Sequence, residues 1–306
     1  MESRPRVSVV IPTFLRDECL VGTLEYLLGQ DEPPDEIVIV DQTPQHTPAV
    51  EGTLKDLQQK GKLRWVRQET PNASLARNRG AAEARFDVLL YLDDDIIPSP
   101  TLVRDHRRHY ESDGVAAVAG QVFYEPKGVR GDFPVEQRER LARSIAEAEP
   151  VRTGVFAGCN FSVRRSTFLG LGGFDENFLP PGYCEESDFA QRLVKANHVL
   201  VADPSAWIIH LAVPSGGHRL VGSRFPRWQV SLGYFIFAFR HAREPAAFTG
   251  FFWKAMRAGP LRRYEVCRPW RWAGGVAHFA VAMFEGWRRA HRGVDSMFWR
   301  HELGRQ

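Results

Sequence analysis

Apolar β-branched runs alternate with residues at helical spacing through the first two thirds of the chain. Residues 7–11 and 36–40 are apolar runs that end at turn residues, as buried parallel strands do. Between them, residues 18–29 place leucines at helical spacing, so this stretch is predicted to form strand, helix and strand. The same reading predicts further strands at 63–66, 87–92, 114–124, 156–163, 199–202 and 206–210, helices at 74–84 and 188–196, and a loop and helix at 133–149.

This alternation predicts an α/β fold with a Rossmann-like, mostly parallel sheet flanked by helices and joined by right-handed crossovers. In such sheets ligands bind beyond the carboxyl ends of the strands. Pro12 and Thr13, then Asp41, then the triplet Asp93, Asp94 and Asp95 each follow a predicted strand. We therefore expect one cleft to collect all three sets.

Charge and aromatic content change near residue 205. Residues 205–306 carry a net charge of +11, whereas residues 1–204 carry −8, and seven of the eight tryptophans lie from position 207 onward. We predict a catalytic-type α/β domain at 1–218 and a basic, aromatic-rich helical extension at 219–306. Such an extension suits an anionic membrane surface, although a helical cap packed on the domain explains it equally well.

The composition excludes several classes of protein. A hydrophobic share of 43% with 25% charged residues is typical of globular chains and not of disordered or collagen-like ones. The four cysteines form no metal or disulfide spacing, which favours a reducing compartment. The N-terminal residues contain no secretory signal, and no apolar run approaches the roughly 18 residues of a membrane span. We expect a cytoplasmic protein, with room for peripheral binding at the inner face of the cytoplasmic membrane, and no nucleic-acid partner because no such motif occurs.

The Asp triplet is the strongest candidate for chemistry. Strand geometry points Asp93 and Asp95 the same way, and adjacent carboxylates destabilise one another unless a cation lies among them. Hard oxygen ligands of this kind suit Mg²⁺ or Mn²⁺ holding a diphosphate, whereas a solvated acidic turn is the alternative. His210 ends an apolar strand, where it is either a further ligand or a hydrogen-bonded bystander.

Two other segments carry candidate groups. Arg77 and Asn78 lie near the start of a predicted helix, where they suit a phosphate or a base, or form a solvated helical face. Glu185, Glu186 and Asp188 open another predicted helix after the glycine-rich turn at 171–176. Acidic residues favour a helix N-terminus, but three of them in this setting also suit general base chemistry on a hydroxyl.

Seven motifs taken in order resemble a family 2 glycosyltransferase of the GT-A fold. They are VSVVIPTF, EIVIVDQ, SLARNRG, YLDDDIIP, GCNFSVRR, GGFDENF and EESDFAQRL, and the resemblance covers roughly residues 5–215. The resemblance implies an inverting hexosyl- or deoxyhexosyltransferase that uses a nucleotide-diphosphate-sugar donor, a divalent metal (Mg²⁺ or Mn²⁺) and a glycan or lipid-linked acceptor. It further implies a nucleotide-sugar half at about 1–98, an acceptor half at about 99–218, and a role in cell-envelope polysaccharide biosynthesis.

The resemblance also implies roles for individual residues. The nucleotide and donor would contact Pro12, Thr13, Asp41, Arg77, Asn78, Asp93 and Asp94. The metal would be held by Asp93 and Asp95, with Asp95 the direct ligand and His210 the further candidate. The base would be Glu186, with Glu185 as the alternative.

Two positions depart from the family pattern. Gln42 stands where a second carboxylate often follows Asp41, which leaves the nucleobase open. Glu186 stands where the family usually has an Asp as base, so the two glutamates remain alternatives. Two other functions compete with the transferase: a metal-dependent phosphoesterase or nucleotidyltransferase that uses the triplet, and a non-catalytic scaffold that binds sugar nucleotides.

Overall fold

A computed structural model describes residues 4–124, 148–180, 182–213, 216–217, 228–258 and 269–296 of this chain. The chain divides into two compact units. The first comprises residues 1–70, 76–171 and 192–217, and the second comprises residues 71–75, 172–191 and 218–306. Apart from its last two residues, the loop and helix predicted at 133–149 lies outside the described residues, as do residues 219–227, 259–268 and 297–306 of the predicted extension.

In the described residues the strands are β1 (Val7–Thr13), β2 (Glu36–Asp41), β3 (Arg64–Arg67), β4 (Val88–Leu92), β5 (Ile96–Pro98), β6 (Ala117–Tyr124), β7 (Val151–Arg152), β8 (Asn160–Arg164) and β9 (Leu200–His210). The helices are α1 (Asp17–Leu28), α2 (Pro48–Gln59), α3 (Ala73–Glu83), α4 (Leu102–Arg107), α5 (Arg165–Gly170), α6 (Glu185–Lys195), α7 (Trp228–His241), α8 (Pro245–Ala258) and α9 (Pro269–His291).

The first unit is built on one sheet with the strand order β3-β2-β1-β4-β8-β6-β9-β5, and β7 pairs with β9. The pairs among β3, β2, β1 and β4 are parallel, and β6 pairs in parallel with β9. The strands β8, β5 and β7 pair antiparallel with their neighbours. The predicted α/β fold class is confirmed, and the four N-terminal strands β3, β2, β1 and β4 form its continuous parallel part.

The apolar runs of the sequence explain which strands are central. Every residue of β2 and β4 is buried, because helices cover both faces of a parallel sheet. Leu20, Leu24 and Leu27 of α1 belong to the same buried cluster. The unpredicted helix α2 begins at Pro48, where Thr47 caps it by accepting a hydrogen bond from Val50 N.

Register brings several strand ends together. Thr13 pairs with Asp41 where β1 and β2 end, and Ile96 pairs with His210 where β5 meets the end of β9. The pairing of Leu92 with Asn160 joins the end of β4 to the start of β8. The Asp triplet follows β4 directly, so it lies at the edge where these strands end.

The second unit contains the start of α6 and the helices α7, α8 and α9. Its core is aromatic: Phe235 and Phe279 lie 5.1 Å apart between ring centroids, and Phe252 packs edge-on against both. Gly286 allows a close approach, because a Cβ atom there would lie 2.5 Å from Phe235 Cβ. Among the helices in the described residues, none is both long enough and apolar enough to cross a membrane.

Candidate active site

Asp93, Asp95 and His210 converge at the end of the sheet in the first unit. His210 Nε2 lies 3.4 Å from Asp93 Oδ2 and 3.6 Å from Asp95 Oδ1. A single ion about 2.1 Å from each of its ligand atoms needs those atoms within about 4.2 Å of one another. His210 Nε2 therefore lies within this distance of an oxygen of Asp93 and of an oxygen of Asp95, so it can share one divalent cation with either carboxylate.

The hydrogen bonds of His210 define its protonation. Its Nδ1 accepts a hydrogen bond of 2.9 Å from the backbone N–H of Ala212, a residue with a φ of 52°. In this geometry the ring proton lies on Nε2 and faces the two carboxylates. Metal binding through Nε2 therefore requires that this proton leave and that the Ala212 contact change.

The middle carboxylate points away from this cluster. Asp94 Oδ2 accepts a hydrogen bond of 2.7 Å from Thr13 Oγ1, and its Oδ1 lies 2.8 Å from Arg16 Nη1. The same Arg16 nitrogen lies 2.9 Å from Asp95 Oδ1. A cation thus does lie among the three carboxylates, and it is a guanidinium that the sequence reasoning did not identify.

Burial and charge separate the pKa values of the three carboxyl groups. Burial raises the pKa of Asp94 to about 6, because the nearby Arg16 charge offsets only part of it. Burial also holds the pKa of Asp95 above its usual value. For Asp93, burial is outweighed by the His210 hydrogen bond and the Arg77 charge, so its pKa is lowered. Asp93 is therefore the most strongly anionic of the three.

A cleft of about 530 Å³ adjoins the triplet in the first unit. Its size lies in the range of sites for small molecules. Arg16 and Val213 line it and also contact the triplet, since Val213 N donates to Asp95 Oδ2 at 3.2 Å. The other lining residues are Leu15, Asp17, Glu18, Cys19, Thr43, Gln45, His46 and Thr47.

Asp41 is the centre of a buried network behind one wall of this cleft. Its oxygens accept hydrogen bonds from His46 Nε2 at 2.7 Å, from Trp65 Nε1 at 2.8 Å, from Thr43 N at 2.8 Å, and from Arg67. Burial raises the pKa of Asp41, but these hydrogen bonds outweigh it and hold the pKa below its usual value. A direct contact between Asp41 and a ligand would require one of these donors to move.

His46 joins Asp41 to the cleft. Its two ring nitrogens lie 2.7 Å from Asp17 Oδ1 and 2.7 Å from Asp41 Oδ2, and ionised carboxylates only accept hydrogen bonds. Burial lowers the pKa of His46, but the two carboxylates outweigh it and raise the pKa. His46 is therefore held as an imidazolium in the wall of the cleft.

The remaining residues proposed for the nucleotide lie at the same end of the sheet. Arg77 Nη2 lies 3.6 Å from Asp93 Oδ1, and Asn78 is fully buried beside it on α3. Pro12 pairs with Val40 one residue before the end of β1. Of these groups, Arg77 is the one whose contact with the triplet is established.

The second unit holds Glu185 and Glu186 in the first turn of α6. Glu185 is buried, and Gly182 makes room for it: a Cβ atom at Gly182, which has a φ of 66°, would lie 3.2 Å from Glu185 Oε1. Glu186 is only partly buried. Of the two glutamates, Glu186 is the more accessible to a substrate.

Arg240 of α7 binds the buried carboxylates of this unit. Its Nη1 contacts Asp175 and lies 3.3 Å from Asp188 Oδ1, and both aspartates have fully buried side chains. His241 Nε2 lies 2.8 Å from the same Asp188 oxygen. Because Asp188 lies two residues after Glu186, α7 holds the helix that carries the candidate base.

Sequence reasoning missed four contributors to these clusters: Arg16, His46, Arg240 and Cys159. Cys159 Sγ, a carboxylate oxygen of Asp93 and a ring nitrogen of His210 all lie within 4.8 Å of one another. The register places Cys159 beside Asp93, since Leu92 pairs with Asn160. Nothing in the spacing of the sequence joins Cys159 to Asp93 and His210, so only the strand pairing could reveal that they are close together.

Comparison with known proteins yields one family match. Residues 8–169 match the family model described as glycosyl transferase family 2. The chain is 25% identical over 202 residues to validoxylamine A glucosyltransferase of Streptomyces hygroscopicus subsp. limoneus, covering 57% of this chain and 45% of that protein. It is 29% identical over 181 residues to glucosyl-dolichyl phosphate glucuronosyltransferase of Haloferax volcanii, covering 56% of each chain. The matches thus span about half the length of these relatives.

Solved structures show the same fold. The mannosyltransferase PcManGT of Pyrobaculum calidifontis, in complex with GDP-Man and Mn²⁺, aligns with a TM-score of 0.57 at 20% identity, covering 92% of this chain and 76% of that one. GalNAc-T7, with UDP, GalNAc and Mn²⁺, aligns with a TM-score of 0.58 at 18% identity, covering 83% of this chain and 55% of that one. Both neighbours are GT-A glycosyltransferases.

Proposed function

Because this chain belongs to glycosyl transferase family 2, we propose that it moves a sugar from a nucleotide-diphosphate-sugar donor to a hydroxyl acceptor, with inversion at the anomeric carbon. The observation that carries the proposal is the convergence of Asp93, Asp95 and His210 beside a cleft of about 530 Å³. This cleft is large enough for a nucleotide. The Mn²⁺ and nucleotide sugars in the two structural neighbours support the same donor class.

The proposed metal site consists of Asp93, Asp95 and His210. A divalent cation held there would supply Lewis-acid stabilisation of the charge that develops on the leaving diphosphate. The protein's part is to orient the donor: Arg77, 3.6 Å from Asp93, places a second positive charge beside the same site. Thr13 fixes Asp94, and the predicted contacts of Pro12, Asp41 and Asn78 would hold the nucleoside.

The proposed base is Glu186. Inversion requires a carboxylate that takes the proton of the acceptor hydroxyl as its oxygen attacks the anomeric carbon and the bond to the diphosphate breaks. Glu186 is partly accessible, whereas Glu185 is buried against Gly182. Both glutamates lie in the first turn of α6, a position that acidic side chains commonly occupy. Arg240 and His241 would keep this turn in place through Asp188.

We test the donor site by thermal shift with UDP-, GDP-, dTDP- and CDP-sugars, each with and without Mn²⁺. A ligand that binds the folded state raises its melting temperature by mass action. We expect a shift for one nucleotide that depends on Mn²⁺, is lost in Asp95→Ala and is kept in the matched surface variant Asp56→Ala. No shift for any donor, with calorimetry also showing no binding, would refute the proposed donor site.

Transfer itself separates the competing functions. Glu186→Gln should keep the donor-dependent thermal shift and lose transfer to the acceptor, whereas Glu185→Gln should keep both. Rapid donor hydrolysis without any acceptor would favour the phosphoesterase. Donor binding without turnover on a panel of glycan and lipid-linked acceptors would favour the scaffold.

We also propose that the second unit docks on an anionic membrane surface, as a lipid-linked acceptor would require. The helix α9 is apolar on two sides: Phe279 and Ala282 are buried, whereas Phe284 and Trp287 are 60% and 48% exposed. Val276 and Met283 extend the exposed side. The last turn of α9 is basic, which suits anionic headgroups. Aromatic side chains beside arginines are typical of interfacial helices.

Vesicle flotation tests this docking. We expect the chain to float with vesicles of phosphatidylcholine and phosphatidylglycerol, to float less with phosphatidylcholine alone, and to lose binding in Phe284→Glu. Tyr26→Glu, which adds a charge at an exposed aromatic of α1, should bind as the unaltered chain does. A chain that remains in the soluble fraction with both vesicles would refute membrane docking, and a dimer in light scattering would assign the face to a second copy.

A further inference from the structure

Arg16 lies where a cation is required. Its Nη1 is 2.8 Å from Asp94 Oδ1 and 2.9 Å from Asp95 Oδ1, and the three side chains are 8%, 3% and 0% exposed. Two buried carboxylates next to each other are unfavourable unless a positive charge lies between them. In this structure the positive charge comes from the protein itself.

The guanidinium and the candidate metal site share one oxygen atom. Asp95 Oδ1 faces Arg16 Nη1 at 2.9 Å and His210 Nε2 at 3.6 Å. A divalent ion bound to that oxygen would lie within a few ångströms of a full positive charge, inside a buried site where repulsion is weakly screened. Arg16 and a divalent ion therefore disfavour each other in this arrangement.

Arg16 also lies beside the cleft in which a ligand would bind. It lines the cleft of about 530 Å³ together with Thr43 and His46, so this residue borders both the triplet and the space for a ligand. Gly216, with a φ of 76°, lets the backbone pack closely on this side chain, because a Cβ atom there would lie 2.4 Å from Arg16 Cγ. The planar fork of an arginine binds phosphate oxygens through two parallel hydrogen bonds.

We propose that Arg16 is the resident counter-ion of the triplet and becomes a ligand of the donor diphosphate when the metal enters. This proposal rests on the proposed function, since it concerns the same donor and metal. Without donor, Arg16 neutralises Asp94 and Asp95. When a metal–diphosphate complex binds, the metal would replace Arg16 at Asp95, Arg16 would pair with the diphosphate, and Asp94 would keep its hydrogen bond from Thr13 Oγ1. The metal and the nucleoside diphosphate then bind with positive coupling, and the metal alone binds weakly.

Calorimetric titration with Mn²⁺ alone at pH 8, where protons compete little for the carboxylates, tests the first half of the proposal. We expect Arg16→Met to bind Mn²⁺ at least about tenfold more tightly than the unaltered chain, because the competing charge is gone. Arg16→Lys keeps the charge and should bind as weakly as the unaltered chain. Arg79→Met removes an arginine that pairs with Glu83 on α3 and should change nothing.

The same titration with UDP or GDP present tests the coupling. In the unaltered chain, the nucleotide that gives a thermal shift should raise the Mn²⁺ affinity at least about tenfold, and Mn²⁺ should raise the affinity for that nucleotide equally. In Arg16→Met, the factor by which each of these ligands raises the affinity for the other should fall towards one. Circular dichroism and melting temperature establish that each variant is folded, and Arg16→Gln serves as a second neutral variant.

The outcomes separate this inference from the proposed function. If folded Arg16→Met and Arg16→Gln bind Mn²⁺ no more tightly than the unaltered chain, Arg16 does not hold the place of the metal, even where donor shifts remain. If the unaltered chain binds no Mn²⁺ with or without nucleotide and no donor produces a shift, the metal-dependent transferase fails and the inference fails with it.

Discussion

Arg240→Met should destabilise the second unit more than any surface ion-pair variant does. Arg240 contacts the carboxylates of Asp175 and Asp188, and it donates to three backbone carbonyls near the end of α9. Both carboxylates are fully buried, and removal of one partner from a buried ion pair costs about 3–5 kcal/mol. Methionine fills most of the volume, so the loss comes from the uncompensated charges. We expect a loss of about 3–5 kcal/mol in the free energy of unfolding at pH 7.

Acid should reduce this loss. Burial already raises the pKa of Asp175 in the unaltered chain, and without the Arg240 charge the pKa rises further. The folded variant then binds more protons than the unfolded chain does, so its stability increases as the pH falls through the pKa of Asp175 in the folded state. Urea unfolding followed by tryptophan fluorescence measures this unit, because six of the eight tryptophans lie at or beyond residue 228.

The control is Arg288→Met. Arg288 pairs with Glu285 at 2.6 Å on the surface of α9, with side chains 37% and 20% exposed. Exposed pairs contribute at most about 1 kcal/mol. If Arg240→Met costs no more than Arg288→Met, or if its loss does not shrink in acid, the Arg240 network does not stabilise the unit as we argue.

Three further predictions concern the first unit. Because the folded pKa of Asp94 is about 6, above its unfolded value, the metal-free chain should gain stability as the pH falls from 7 to 5, and Asp94→Asn should remove that gain in urea titrations with chelator. Burial raises the pKa of Asp203, but its hydrogen bonds outweigh this and lower it. Asp203→Asn should therefore cost on the order of 2 kcal/mol at pH 7, and the cost should shrink as the pH falls from the ordinary Asp pKa through the lowered folded pKa; a cost that does not shrink in acid would contradict this. Gly120→Ala should cost at least about 2 kcal/mol, because its Cβ would lie 2.3 Å from Ala206 O, whereas Gly22→Ala has open space and should be neutral or stabilising in thermal melts.

The sequence predicted β1, β2 and β4 well because each is a largely apolar, buried run of ordinary length. The short elements escaped prediction for physical reasons. The strand β5 has three residues and β7 has two, too few for any periodicity, and α4 and α5 are single short turns of helix. The helix α2 carried a detectable signal in its Thr47 cap and Pro48.

Some residues of the candidate site could likewise be predicted from the sequence, and others could not. The triplet and His210 could be proposed because each ends a predicted strand. Arg16 could not, because it lies 78 residues from Asp94 and nothing local marks its partner. Cys159 could not either, because its proximity to Asp93 follows from antiparallel register, which depends on the whole sheet. The roles of these residues and of Glu186 remain predictions for the experiments above.

The Arg240 network bears on how this chain could exchange parts with its relatives. The family match ends at residue 169, before Asp175, Asp188 and Arg240. A chimera that kept residues 172–191 of this chain but took its C-terminal helices from another protein would inherit two buried anions without their cation. A chimera with foreign C-terminal helices therefore folds only when the incoming helix supplies an arginine equivalent to Arg240. The segment that must be exchanged as one piece therefore runs at least from Asp175 to Arg240, beyond residue 169 where the family match ends.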